Sequence, residues 1–346
     1  VKLGLLLLAG QFPGMTEAEA LAGAVDNAVA AEQAGLDSVW FAEHHFITYG
    51  ICPSAVALAS NVLGRTSRIT VGTGVCMLSN RHPVALAEET ALLDHLSGGR
   101  FQLGVGRGGP WVDLEVFGTG LARFEDGFAE SLDLLLGGLD EGRVAATGPA
   151  HRFFRFRPVP LVPRPFTRPR PPIVVAATSL PTVEIAAARG LPLLLGLHAT
   201  VDEQCELLAH YAKVTAEHGH DPGAVEHLGT AVCHIADSRA RAEAELRAAM
   251  PAWIRRGVGG YVSISPVPRR AGDAQAYVAR LLAIHRVGTP EDCADHLQAT
   301  AEATGIRQVL LMVEGTGNRQ RTRETVARLG SEVAPRLGPG TGRCAG

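Results

Sequence analysis

The chain has 346 residues, 46% apolar and 19% charged, an ordinary globular composition with enough apolar side chains to bury a full core. With 32 basic against 35 acidic residues the formal charge is −3, which excludes the basic footprint of a nucleic-acid binder or of a protein drawn to anionic lipid. No apolar run is long enough to span a membrane, and Leu3–Ala9 is too short for a secretory signal, so a cytoplasmic protein with a small-molecule partner is expected.

Short apolar runs alternate with longer segments of helical period, the pattern of parallel strands covered by helices. In chain order the predicted strands are Lys2–Leu8, Ser38–Ala42, Ile69–Gly74, Phe101–Val105, Ile173–Ala176, Leu193–Gly196, Glu226–Ala236 and Gln308–Val313. Predicted helices cover Glu17–Ala34, Pro53–Leu63, Val84–Leu96, Phe124–Leu139, Val201–His218, Arg239–Trp253 and Pro290–Thr304. Boundary residues agree: Thr16 precedes Glu17 and Glu19, Gly35 ends the first helix, and Pro83 and Pro290 stand at helix starts, where a missing N–H costs nothing. Eight strands with intervening helices point to an α/β fold, a single (β/α)8 TIM barrel with insertions over residues 1–337.

Two segments break the alternation. Residues 143–172, rich in proline and arginine, are expected to form an extended arm or hairpin on the surface. Residues 255–275, with Gly257, Gly259, Gly260, Pro266 and Pro268, are the candidate for a mobile active-site lid. Residues 338–346 are glycine-rich and expected to be a flexible tail. The six cysteines, Cys52, Cys76, Cys205, Cys233, Cys293 and Cys344, form no C-x-x-C pair and have no histidine at zinc-ligand spacing. They read as mostly buried free thiols, and no metal is expected.

In a (β/α)8 barrel the chemistry sits just past the C-terminal strand ends. The second strand runs into Glu43, His44, His45 and Phe46, where an imidazole suits a general acid or base near neutral pH. A histidine merely hydrogen-bonded at a strand end is the competing reading from spacing alone. After the fourth strand comes Gly104-Val105-Gly106-Arg107-Gly108-Gly109, whose small residues allow close backbone approach while the guanidinium binds phosphate. It is not read as a dinucleotide fingerprint, and alone the glycine pattern is a weak signal. The fifth strand ends in Ala176, Ala177, Thr178 and Ser179, at a helix start that could bind an anion or merely be capped.

Taken in order, F-A-E-H-H-F (Phe41–Phe46), V-G-T-G (Val71–Gly74), R-H-P-V (Arg81–Val84), L-L-D-H-L-S-G-G-R-F (Leu92–Phe101), G-V-G-R-G (Gly104–Gly108), P-P-I-V-V-A-A-T-S (Pro171–Ser179), A-A-A-R-G-L-P (Ala186–Pro192) and V-G-T-P-E-D-C (Val287–Cys293) span nearly the whole chain. Together they resemble the bacterial luciferase family of flavin monooxygenases, more closely its catalytic subunit than that subunit's partner. The resemblance implies a two-component enzyme. In such an enzyme reduced FMN would come from a separate flavin reductase, and O2 would be activated at the flavin to oxygenate an organic substrate. It implies His44 as the catalytic histidine, with His45 and Glu43 orienting it. Arg107 with Gly108, and Ala177, Thr178 and Ser179, would form the flavin phosphate site. A cis peptide under the flavin ring would fall at Gly74–Val75. The chain departs from the luciferase pattern at Gly106, where that subunit has a reactive cysteine, and at Gly109, Pro110 and Trp111, so a long-chain aldehyde and light emission are not expected. A pocket ringed by Trp111, Phe46 and Tyr49 would suit a flat or aliphatic apolar molecule, such as a natural-product intermediate. The alternatives are an F420-dependent oxidoreductase of the same superfamily and a flavin-binding protein without turnover. A homodimer is expected, because Pro53–Leu63 and Val84–Leu96 carry small and aliphatic residues on more faces than one barrel covers, and luciferase subunits meet through helices there.

Overall fold

A computed structural model describes residues 1–265 and 272–338. Eight parallel strands, β1 (Lys2–Leu7), β2 (Ser38–Phe41), β3 (Thr70–Thr73), β4 (Phe101–Gly106), β5 (Ile173–Ala177), β6 (Leu193–Leu195), β7 (Leu228–Val232) and β8 (Gln308–Met312), hydrogen-bond in the order β3-β2-β1-β8-β7-β6-β5-β4. Pairing of β3 with β4, Val71 opposite Phe101, closes the ring. The short strand Cys76–Met77 lies on the end of β4, Cys76 opposite Val105. All eight predicted strands are present and their ends move by a few residues. The largest change is at Glu226–Ala236, where the ladder stops at Val232 and only Ile235 bridges onward, to Gly288.

The alternation of side chains along each strand builds two cores. Leu3, Leu5, Leu7, Val39, Phe41, Leu103, Val105 and Leu311 face the helices. Leu6, Trp40, Val174, Leu194, Leu228, Leu310 and Met312 fill the barrel. Trp40 sets a local requirement: a Cβ on Gly72 would stand 2.5 Å from its indole, so only glycine fits on β3 at that level.

The outer helices are α1 (Glu17–Gln33), α2 (Ala55–Leu63), α3 (Pro83–Ser97), α4 (Phe128–Glu141), α5 (Leu180–Ala187), α6 (Val201–Glu217), α7 (Arg239–Val258), α8 (Ala274–Ile284), α9 (Pro290–Thr304) and α10 (Arg319–Arg328). Thr16, Thr200 and Thr289 close reciprocal capping boxes with Glu19, Glu203 and Asp292. The segment predicted as one helix, Phe124–Leu139, is two, because the chain turns at Gly127 between Gly120–Asp126 and α4. A Cβ at Gly127 would lie 2.7 Å from the Arg123 carbonyl, so glycine permits the tight joint.

The proline-rich insertion contains the expected hairpin, Arg143–Ala146 antiparallel to Phe156–Pro160. Its Val144, Ala146 and Phe154 form a small core with Leu134 of α4. The expected lid range is corrected at both ends: 255–258 finish α7 and 274–275 begin α8. Of the rest, 266–271 lie outside the described residues, as does the expected tail apart from Gly338, together with Cys344. Among the described residues no helix is long and apolar enough to cross a membrane.

Candidate active site

The strand ends on one side of the barrel open into a cavity of about 400 Å³. Glu43, His44, His45, Gly74, Val75, Arg107, Gly108 and Thr178 all line it. Ala177 and Ser179 do not. The two-residue alternation explains the first: Ala176 turns inward to the cavity, and Ala177 packs into the helix-side core. Ser179 is the N-cap of α5, its hydroxyl 3.2 Å from that of Thr182, which itself lines the cavity.

Three adjacent residues after β2 take different environments. Glu43 is buried and accepts hydrogen bonds from Ala55 N–H (3.1 Å), Met77 N–H (3.4 Å) and Arg81 Nη2 (2.9 Å). Its oxygen also lies 3.7 Å from His45 Nε2. Burial alone would raise its pKa, but the His45 contact and the Arg81 guanidinium hold it below the usual carboxylate value. Glu43 thus ties β2, α2 and the Cys76–Met77 strand together and touches His45 rather than His44. The His44 ring packs edge-on against Tyr49, with centroids 5.3 Å apart, and its backbone N–H donates to the Cys52 carbonyl at 3.0 Å. A Cβ on Gly50 would come within 2.6 Å of His44 Nδ1, so glycine gives the imidazole its place. Burial depresses the His44 pKa to about 4, and its Nδ1 has no hydrogen-bond partner. The result is a neutral imidazole with one buried, unpaired nitrogen.

Tyr49 itself does not line the cavity. Its ring stacks on Trp253 at 4.7 Å, and Trp253 stacks on Phe12 at 4.6 Å, so it backs His44 from inside the barrel. Trp111 and Phe46 do line the cavity, as the sequence suggested.

β4 and β5 are hydrogen-bonded neighbours, so their ends bring Arg107 and Thr178 to adjacent places on the rim. The Arg107 guanidinium lies over the Phe124 ring at 4.8 Å, and among the described residues no carboxylate forms an ion pair with it. Its carbonyl accepts from the Ser79 hydroxyl. The glycines around it are sterically required: Gly108 has φ +87° with Met77 Sδ 3.1 Å from a built Cβ, and a Cβ on Gly106 would meet Val75 at 2.8 Å. The Gly74–Val75 peptide is cis.

Several lining residues escaped the sequence reading. Asp113 is buried, one oxygen bound to Asn80 Nδ2 at 2.6 Å and the other without a hydrogen-bond partner. Met77, Thr182 and Tyr261 are others. Arg81, quoted only as part of R-H-P-V, is the residue that holds Glu43. Nothing in local periodicity marks contacts made across tens of residues.

The model of the luciferase-like monooxygenase family matches residues 1–308. An alkanal monooxygenase alpha chain from a Kryptophanaron alfredi symbiont is 28% identical, over 97% of this chain and 98% of its own. The monooxygenase RslO1 from Streptomyces bottropensis superposes with a TM-score of 0.84 at 22% identity, covering 97% of this chain and 99% of that one. The oxygenating constituent of 3,6-diketocamphane monooxygenase from Pseudomonas putida, solved with FMN, gives 0.74 at 20% identity over 97% and 98% of the two chains. An F420-dependent secondary alcohol dehydrogenase gives 0.76 at 17% identity over 97% and 99%.

Proposed function

Since the chain belongs to the luciferase-like monooxygenase family, we propose that it is a two-component monooxygenase. It takes reduced FMN from a separate flavin reductase and uses O2 to oxygenate a small organic substrate of natural-product type. The observation that carries this reading is Arg107. It is a cation with no carboxylate partner among the described residues, on a glycine-built rim beside Thr178 and the N-terminus of α5, opening into the cavity that contains His44. That donor set suits a phosphate monoester.

Arg107, Gly108, Thr178 and the start of α5 would hold the phosphate, and Gly74–Val75 would lie along the flavin ring. When bound, the reduced flavin supplies the two electrons that activate oxygen. His44, neutral at pH 7 and lining the cavity, would take up or release a proton there. Glu43 and Arg81 would position His45, and Trp111 and Tyr261 would help keep water out. A second copy of the chain belongs to the same reading. Leu92 and Leu96 on α3 are 48% and 70% exposed, a ready apolar face for a homodimer.

Equilibrium binding of FMN and of F420, followed by turnover of reduced FMN under labelled O2, tests the reading. Binding of FMN and label in the product are expected. Binding of F420 with no affinity for FMN would replace the monooxygenase with a hydride-transfer enzyme.

A further inference from the structure

Building on the oxygenation reading, we propose that the part of the cavity bounded by Trp111 and Tyr261 is a slot for a planar aromatic substrate, not for a straight alkyl chain. Two segments far apart in sequence are fixed together to make it. Val112 N–H donates to the Val262 carbonyl at 2.8 Å, Ile264 N–H to the Pro110 carbonyl at 2.9 Å, and Trp111 bridges Ser263. This short antiparallel ladder sets the indole of Trp111 against the phenol ring of Tyr261, centroids 4.6 Å apart and planes at 34°. Gly109 fixes the indole from below: a Cβ there would lie 2.1 Å from Trp111 Nε1, so the ring rests on bare backbone.

A second aromatic group lies on the same cavity. Phe46 has φ +62°, a region that non-glycine residues rarely occupy, and the residue is 59% exposed. It sits 5.9 Å from Phe117, which packs on His45 at 5.0 Å. A chain with only 5% aromatic residues therefore concentrates rings around the cavity that contains its candidate catalytic histidine, one of them on a strained backbone. Polarised ring faces and edges discriminate flat π-systems from flexible chains, which gain only area and lose rotational freedom. The substrate class that follows is a fused or single aromatic ring system, placed beside His44 for oxygenation.

The test uses 2-naphthol and 1-decanol, which have the same number of carbons and one hydroxyl each. Their affinities are measured by calorimetry with and without saturating FMN. Decanol is the more hydrophobic, so area alone favours it. We expect 2-naphthol to bind roughly tenfold tighter, because contacts with several rings and the chain rotation that decanol loses together outweigh decanol's extra area. Trp111→Leu should abolish that preference and Trp111→Phe retain it, with FMN affinity changed by no more than a few fold in either. Equal or tighter binding of decanol to the wild type overturns the slot, as does a preference that survives both Trp111→Leu and Tyr261→Leu. Because these affinities need no turnover, a naphthol preference in a protein that fails to bind FMN would sink the flavin reading and leave the slot standing. Normal FMN binding without the preference would do the reverse.

Discussion

The Glu43 carboxylate and the Arg81 guanidinium meet at 2.9 Å across 38 residues of chain, with the Glu43 side chain fully buried and that of Arg81 21% exposed. Removing one member of such a pair leaves the other charge without compensation, which costs far more than the pair contributes net. Arg81→Met should lower the free energy of unfolding by about 3–5 kcal/mol. Adding Glu43→Gln should restore part of that loss. Denaturant titration of the three proteins checks this, and an Arg81→Met loss below about 1 kcal/mol, the scale of a surface pair, would mean the pair is not load-sharing.

His44 should matter for turnover and little for binding. Replacement by Ala is expected to leave FMN affinity within a few fold and to cut turnover by roughly 100-fold or more. Burial depresses the imidazole to about 4, so it stays neutral through the physiological range, and an acid limb near pH 6.5 should not come from this residue. Proton NMR of the ring against pH reads this directly. Full activity in the alanine variant would remove His44 from the chemistry.

His227 offers a stability prediction remote from the cavity. Its Nδ1 accepts the Leu193 N–H at 3.0 Å, its ring lies edge-on to Tyr211 at 4.5 Å, and burial depresses its pKa to about 4. Between pH 4 and the ordinary histidine value near 6.5 the unfolded chain binds the proton and the folded chain does not. Stability therefore falls as pH drops through that window and is fully kept above it. Glu314, which burial raises to about 7, acts in the opposite sense, its contribution lost as pH rises. His227→Gln should flatten the acid-side slope of the melting temperature, and an unchanged slope would contradict the assignment.

The glycine beside Arg107 should resist substitution. Gly108→Ala places a side chain at φ +87° and 3.1 Å from Met77 Sδ, a loss of about 1–2 kcal/mol from the left-handed backbone alone. FMN affinity should fall with it. Met77→Ala in the same chain should relieve the contact and not the backbone cost, so recovery in thermal melts should be partial. Complete recovery would locate the cost in the side-chain contact alone.

Much of this was readable before any coordinates. The β-strand runs and the caps at Thr16 and Thr289 are written in adjacent residues, and so are the histidines after β2 and the glycines around Arg107. What stayed hidden is long-range. Arg81 looks like any helix-flanking arginine until folding sets it on Glu43, and Asp113 and Tyr261 reach one cavity only because a ladder between 110–112 and 262–264 aligns them. Ala177 was placed beside Thr178 by the family resemblance, and the outward turn of alternate strand residues sends its side chain to the core.

Arg107→Ala, with FMN and riboflavin titrated side by side, tests the flavin phosphate site most directly. If the guanidinium grips the phosphate, two charge-assisted hydrogen bonds are lost, each worth about 1.5–3 kcal/mol. FMN affinity should then fall by roughly 100-fold or more. Riboflavin, which lacks the phosphate, should bind the wild type poorly and the variant about as poorly. If instead Arg107 only braces the glycine loop over Phe124, both flavins would lose affinity alike and the protein would melt at a lower temperature. A selective loss of FMN is the predicted result, and equal losses for the two flavins would contradict the phosphate site.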